Sequence, residues 1–127
     1  MNKFCLLILF FTWTSCTSDN EVNWHVGEFY YKDEPYDYEI QRFSNYQIES
    51  IVGEGLVVKF DLDWLYDTMF ILSFDSILAN PQNLPLPSDI HKLKKTCTML
   101  LKSDTSYIER TQTNLNSRIH YTQIRAK

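Results

Sequence analysis

Glycine is scarce in this chain, with three in 127 residues, alongside four prolines and three cysteines. Three glycines leave no place for a Gly-rich phosphate loop, and neither a G-x-S-x-G elbow nor a C-x-x-C pair occurs. No Asn-x-Ser/Thr acceptor is present, so nothing points toward N-glycosylation. The leading apolar run, Phe4 to Trp13, has ten residues, half of the about 20 a spanning helix needs. His25, His91 and His120 lie far apart without H-x-H or H-E-x-x-H spacing. We therefore expect no metal, no cofactor and no catalytic motif.

What is present is an aromatic-rich globular composition. Phe and Tyr occur eight times each, and 44% hydrophobic with 22% charged residues is ordinary for a folded domain. A chain of this length makes about one domain. The net charge of −4 conceals an asymmetry. Residues 17–90 hold 14 Asp and Glu against 3 Lys and Arg, whereas residues 91–127 hold 2 against 8. The expected arrangement sets basic C-terminal strands beside acidic N-terminal ones. The acidic total and the lack of a recognisable basic module argue against nucleic acid as a partner.

At the N-terminus, Lys3, the run CLLILFF and the small residues Thr14 and Ser15 before Cys16 have the layout of a signal peptide. Trp13-Thr14-Ser15-Cys16 resembles the lipobox of bacterial lipoproteins, with Trp13 where an aliphatic residue is usual. Ser18-Asp19-Asn20-Glu21 is similar to the surface-export signal of some Gram-negative lipoproteins. The resemblance implies a leader over 1–15, acylation of Cys16, a polar linker to residue 23 and one domain over 24–127. It also implies a cell-envelope address, outer-membrane, periplasmic or surface-facing, with the membrane reached through the lipid. Plain secretion is the alternative address. An acylated Cys16 leaves Cys97 unpaired, in a strand-like run with Met99 and Leu101 where a buried free thiol is expected; otherwise a Cys16–Cys97 bridge stays open.

Along the rest of the chain the dominant period is two. Leu56, Val58, Phe60 and Leu62 alternate with Lys59, Asp61 and Asp63, as a half-buried antiparallel strand requires. Residues 46–51 precede it across Gly53-Glu54-Gly55, forming a hairpin. Phe70, Leu72 and Phe74 share a face of a run over 68–77, and further strands are read at 24–31, 38–43, 96–101, 107–111 and 118–124. Ser88-Asp89 can start a short turn carrying Ile90 and Leu93, and a second helical turn is expected at 61–66. Asn80 to Pro87, with three prolines, reads as an extended loop crossing a surface or closing a barrel end. The fold class expected is all-β, or a β-dominated α+β with at most one or two short helical turns, as a small antiparallel barrel or sandwich of about seven or eight strands. The strand count, Trp24 at the start and Tyr121-Thr122-Gln123-Ile124-Arg125 near the end resemble small lipocalin-like lipoproteins, although Trp24 has no glycine two residues before it.

The densest cluster of side chains able to grip a partner is EFYYKDEPYDYE. Its Glu28, Tyr30, Tyr31, Asp33, Glu34, Tyr36, Asp37, Tyr38 and Glu39 form the candidate contact surface. Asp61, Asp63 and Asp67 lack the spacing of a calcium loop, with Leu65, Tyr66 and Leu72 where oxygens or glycine belong. Cys97 and His120 are a conceivable nucleophile pair, but an apolar strand disfavours the thiolate. The leading expectation is a lipid-anchored, non-catalytic binding or interaction module with a protein or small apolar ligand as partner. One alternative is an inhibitor or immunity-type protein capping a basic partner with its acidic half. The other is a lipocalin-like carrier with a dry cavity lined by Phe60, Phe70, Leu72 and Met99.

Overall fold

The computed structural model describes residues 21–127. Cys16 and the leader lie outside the described residues. Eight antiparallel strands follow one another around a closed up-and-down barrel: β1 Gly27–Asp33, β2 Tyr36–Arg42, β3 Tyr46–Ile51, β4 Val57–Tyr66, β5 Met69–Ala79, β6 Lys94–Leu100, β7 Ser106–Thr113 and β8 Ile119–Ala126. Of the barrel and the sandwich that the sequence allows, the barrel is the architecture. A 3₁₀ turn at Ile90–Lys92 stands where Ser88-Asp89 announced one. The turn expected at 61–66 does not form; those residues continue β4, because Leu62 and Trp64 stay paired with Leu72 and Phe70.

Period-two patterning decides what fills the interior. Phe29, Ile40, Val58, Phe60, Leu62, Phe70, Leu72, Cys97, Met99, Tyr107 and Ile124 are all buried. Outward faces carry Glu28, Lys32, Asp37, Glu39, Lys59, Asp61 and Asp63, charges that a lipid-facing strand would not bear. No helix among the described residues is long and apolar enough to cross a membrane. On β5, Asp75 and Leu78 have no partner on β4, so the inward phase passes from Phe74 to Ile77. Such bulges bend a strand and help a small sheet close. Leu101 departs from the expected alternation with Cys97 and Met99: β6 ends at Leu100, and Leu101 sits in the next turn at φ 48°, 84% exposed.

The two barrel ends differ. At one, Val22 and Trp24 pack onto the core, and Trp24 stacks on Phe29 at 5.4 Å and meets Tyr107 edge-on at 5.1 Å. His25 stacks on Trp64 at 3.8 Å, with Nε2 2.8 Å from the Asp67 carbonyl. This end is plugged. At the other, the proline loop folds against the barrel mouth, held by Asn80, which accepts from the Leu84 amide at 2.9 Å and donates to the Leu84 carbonyl at 3.1 Å. Closure between β1 and β8 uses two residue pairs, Phe29 with Ala126 and Tyr30 with Arg125. Beyond them the strands diverge around a surface cleft of about 460 Å³ bounded by Tyr30, Tyr31, Lys32, Gln123 and Arg125.

Charge follows the expected sense in two ion pairs. Lys127 meets Glu39 at 3.0 Å and Lys95 meets Glu49 at 3.3 Å, each joining the basic end of the chain to the acidic part. Arg42 and Glu109, 3.9 Å apart, reverse it.

Gly55 fixes the proline loop to the β3–β4 hairpin. Its φ of 73° suits glycine, and a Cβ there would fall 2.8 Å from Pro81 Cγ, whereas Gly53, at φ 84°, has open space. Both Gly53→Ala and Gly55→Ala incur the left-handed penalty of about 1–2 kcal/mol. Gly55→Ala is expected to lose more stability in urea than Gly53→Ala. Equal losses would mean that Pro81 yields freely.

Candidate functional site

The barrel mouth holds a cleft of about 350 Å³. Its walls are apolar: Ile51, Leu56, Val58 and Phe60 on one side, and Leu84, Pro85, Leu86, Ile90 and Leu93 on the loop side. Alternation alone places the barrel-side residues, since Val58 and Phe60 take the inward positions of β4 opposite Glu49 and Gln47. The loop side follows from three prolines, which keep Leu84 and Leu86 extended over the mouth.

The base of the cleft is polar. Lys95 Nζ lies 3.3 Å from Glu49 Oε2 and 4.6 Å from the Phe60 ring centre. Glu49 Oε1 accepts from Gln47 Nε2 at 3.1 Å, and Gln47 Oε1 in turn accepts from Arg42 Nε at 2.7 Å. Burial disfavours the Lys95 ammonium, but Glu49, with help from Cys97 and Glu109, carries its pKa above the ordinary lysine value. Tyr38 lines the cleft and stacks on Tyr31 at 4.5 Å with the rings 3° from parallel. Burial foremost, and Glu49 among the nearby acids, pushes both phenols upward, so they remain protonated.

Below this layer the barrel is filled. Arg42, 1% exposed, donates to the Trp24 carbonyl at 2.7 Å and to the Tyr107 hydroxyl at 3.1 Å. Its guanidinium carbon lies 5.0 Å from the Phe29 ring centre and 4.8 Å from that of Phe70. Tyr107 donates to Glu109 Oε1 at 3.1 Å, and Thr111 donates to Oε2 at 3.3 Å. Among the described residues no buried side-chain polar atom lacks a hydrogen-bond partner. Burial raises the Glu109 carboxyl above the ordinary carboxylate range despite the pull of Arg42.

The candidate contact surface does not form one face. Pairing puts Tyr31 opposite Tyr38 and Asp33 opposite Tyr36 on the inner side, while Glu28, Tyr30, Asp37 and Glu39 lie on the outer side. Glu34 occupies the turn. Only Tyr36 and Tyr38 of this set reach the mouth cleft. The four residues expected around a cavity also separate: Phe60 lines the cleft, whereas Phe70, Leu72 and Met99 are buried in the core and do not line it. Cys97 is a buried free thiol, and burial pushes its pKa well up. His120 is exposed and two strands away, separated from Cys97 by Thr111 in the ladder, so the two do not pair. Asp61 and Asp63 are exposed on the outer face of β4. Arg42, Gln47, Glu49, Lys95 and Glu109 were not singled out by sequence reasoning. Their signal was parity: Arg42 is in phase with Tyr38 and Ile40, and Lys95 with Cys97 and Met99.

Two substitutions probe the filled half. Removing one partner of a buried charge pair costs about 3–5 kcal/mol, so Arg42→Met should lose that much, and adding Glu109→Gln should return part of it. Because the folded carboxyl of Glu109 sits above its unfolded value, its contribution is complete below the unfolded pKa. That contribution is lost as pH rises through the folded one. Urea titrations should therefore show Glu109→Gln gaining on the wild type as pH rises from the ordinary carboxylate range toward neutrality. Parallel curves would contradict the raised carboxyl.

Neither a family model, a curated protein nor a solved structure matches the chain.

Proposed function

We propose that this protein is a non-catalytic binding module that takes a small, mainly apolar ligand into the mouth of its barrel. The observation that carries this reading is the leucine-rich cleft of about 350 Å³. It lies near the lower end of the about 300–1,000 Å³ range usual for small-molecule sites and joins apolar walls to few polar groups. An eight-stranded barrel is just wide enough to be filled by side chains or to hold one small ligand. Here the lower half is filled and the upper half is left to a ligand. The lipocalin-like resemblance of Trp24 and residues 121–125 points the same way.

In the same proposal the leader and Cys16 make the protein a lipoprotein of the cell envelope. Two or more acyl chains, each contributing about 0.8 kcal/mol per buried CH₂, give stable anchoring where one is marginal. The proposed role is therefore to hold an apolar molecule beside a membrane.

Ligand binding is tested with 1-aminoanthracene, an uncharged probe whose emission rises in apolar surroundings. The protein should enhance and saturate its fluorescence. Ile51→Trp, which fills the cleft from its partly exposed wall, should weaken binding at least tenfold while keeping the strand-type circular dichroism. Unchanged affinity would place the probe elsewhere. For the anchor, radiolabelled palmitate should tag the wild type in bacterial cells and not Cys16→Ala; equal labelling would end the lipoprotein reading.

A further inference from the structure

The base of the mouth cleft carries enough chemistry to narrow the ligand class, and this step rests on the cleft being a ligand site. Lys95 is the one cation lining it, and an ammonium has three N–H donors. Glu49 Oε2 takes one at 3.3 Å, and no other hydrogen bond from Nζ is formed among the described residues. Two donor directions are therefore left to an incoming acceptor. Lys95 is held in place by Glu49 and by the Phe60 ring at 4.6 Å, so the donors are positioned before a ligand arrives.

Its charge, however, is already answered. Both carboxylate oxygens of Glu49 are engaged, by Gln47 and by Lys95, and Gln47 is fixed from below by Arg42. The pair at the base has no net charge. The loop-side lining residues, Leu84, Pro85, Leu86, Ile90 and Leu93, add no cation. A ligand carboxylate would enter as a second anion beside Glu49, with the apolar walls weakening solvent screening, while Glu109 deeper in the interior is already answered by Arg42. An uncharged carbonyl would use the free donors without that repulsion.

We infer that the cleft selects an apolar molecule ending in an uncharged hydrogen-bond acceptor, a ketone or ester of medium chain length, and discriminates against the matching carboxylate. Lys95 is the specificity-determining donor, and Glu49 is the residue that rejects the anion.

The experiment is displacement of bound 1-aminoanthracene from the full protein at neutral pH by 2-nonanone and by nonanoate. The ketone should displace the probe at a concentration at least tenfold below that of the carboxylate. Lys95→Met should remove most of the ketone's advantage. Glu49→Gln, which keeps an acceptor for Gln47 but no charge, should shift the preference toward nonanoate by at least tenfold. Nonanoate competing as well as or better than the ketone on the wild type would overturn the inference while leaving the cleft a ligand site. A probe that binds but yields to neither compound would overturn it as well. A probe that never binds would remove the underlying reading instead.

Discussion

Burying the Arg42 guanidinium inside a small barrel is the constraint on which the rest of the interior depends. A charge removed from water must be met by hydrogen bonds and counter-charge, or the fold loses several kcal/mol. Arg42 is met on three sides, by the Trp24 carbonyl, by Gln47 and by Tyr107, with Phe29 and Phe70 beside its guanidinium. Each partner has a second task. Trp24 plugs the end of the barrel, Tyr107 hands on to Glu109, and Gln47 hands on to Glu49.

This chain of contacts divides the barrel by height. Around Arg42 and Tyr107, Phe29, Phe70, Met99 and Ile124 pack without needing a ligand. Above them, Glu49 and Lys95 end the polar layer, and the walls continue upward as Ile51, Leu56, Val58 and the loop leucines. A buried ionic network is weak evidence of stability by itself, since apolar residues of similar volume often do as well. Its structural consequence here is positional: it fixes where the packed floor stops and places a pre-held ammonium at that level. Stability and ligand selection then share the same residues.

Much of the barrel was legible in the chain because it is written in period two. The alternation in β4 gave both the strand and its buried face, and Gly53-Glu54-Gly55 marked the hairpin. The mouth loop was legible from its prolines. Where reading failed, polarity and burial had parted company. In β3 the apolar residues Tyr46 and Ile48 face outward while Gln47 and Glu49 face in. Tyr46 is covered on the outside by Phe43, stacked at 4.3 Å, and by Lys59, 4.9 Å from its ring centre. Tyr46 therefore gives no sign of which way the strand faces. The acidic aromatic segment likewise reads as one cluster along the chain, and the same alternation that makes it two strands divides it between inside and outside. The polar interior needs partners brought from β2, β3, β6 and β7, a set that only closure assembles.

The most direct measurement is a methyl-resolved NMR titration of the protein with 2-nonanone. Shifts are expected at Ile51, Leu56, Val58, Leu84, Leu86 and Leu93, with Met99 and Ile124 below the polar layer unmoved. Shifts at Met99 and Ile124, or shifts confined to outer residues such as Leu78 and Ile119, would contradict a barrel closed by Arg42 beneath and open to a ligand above.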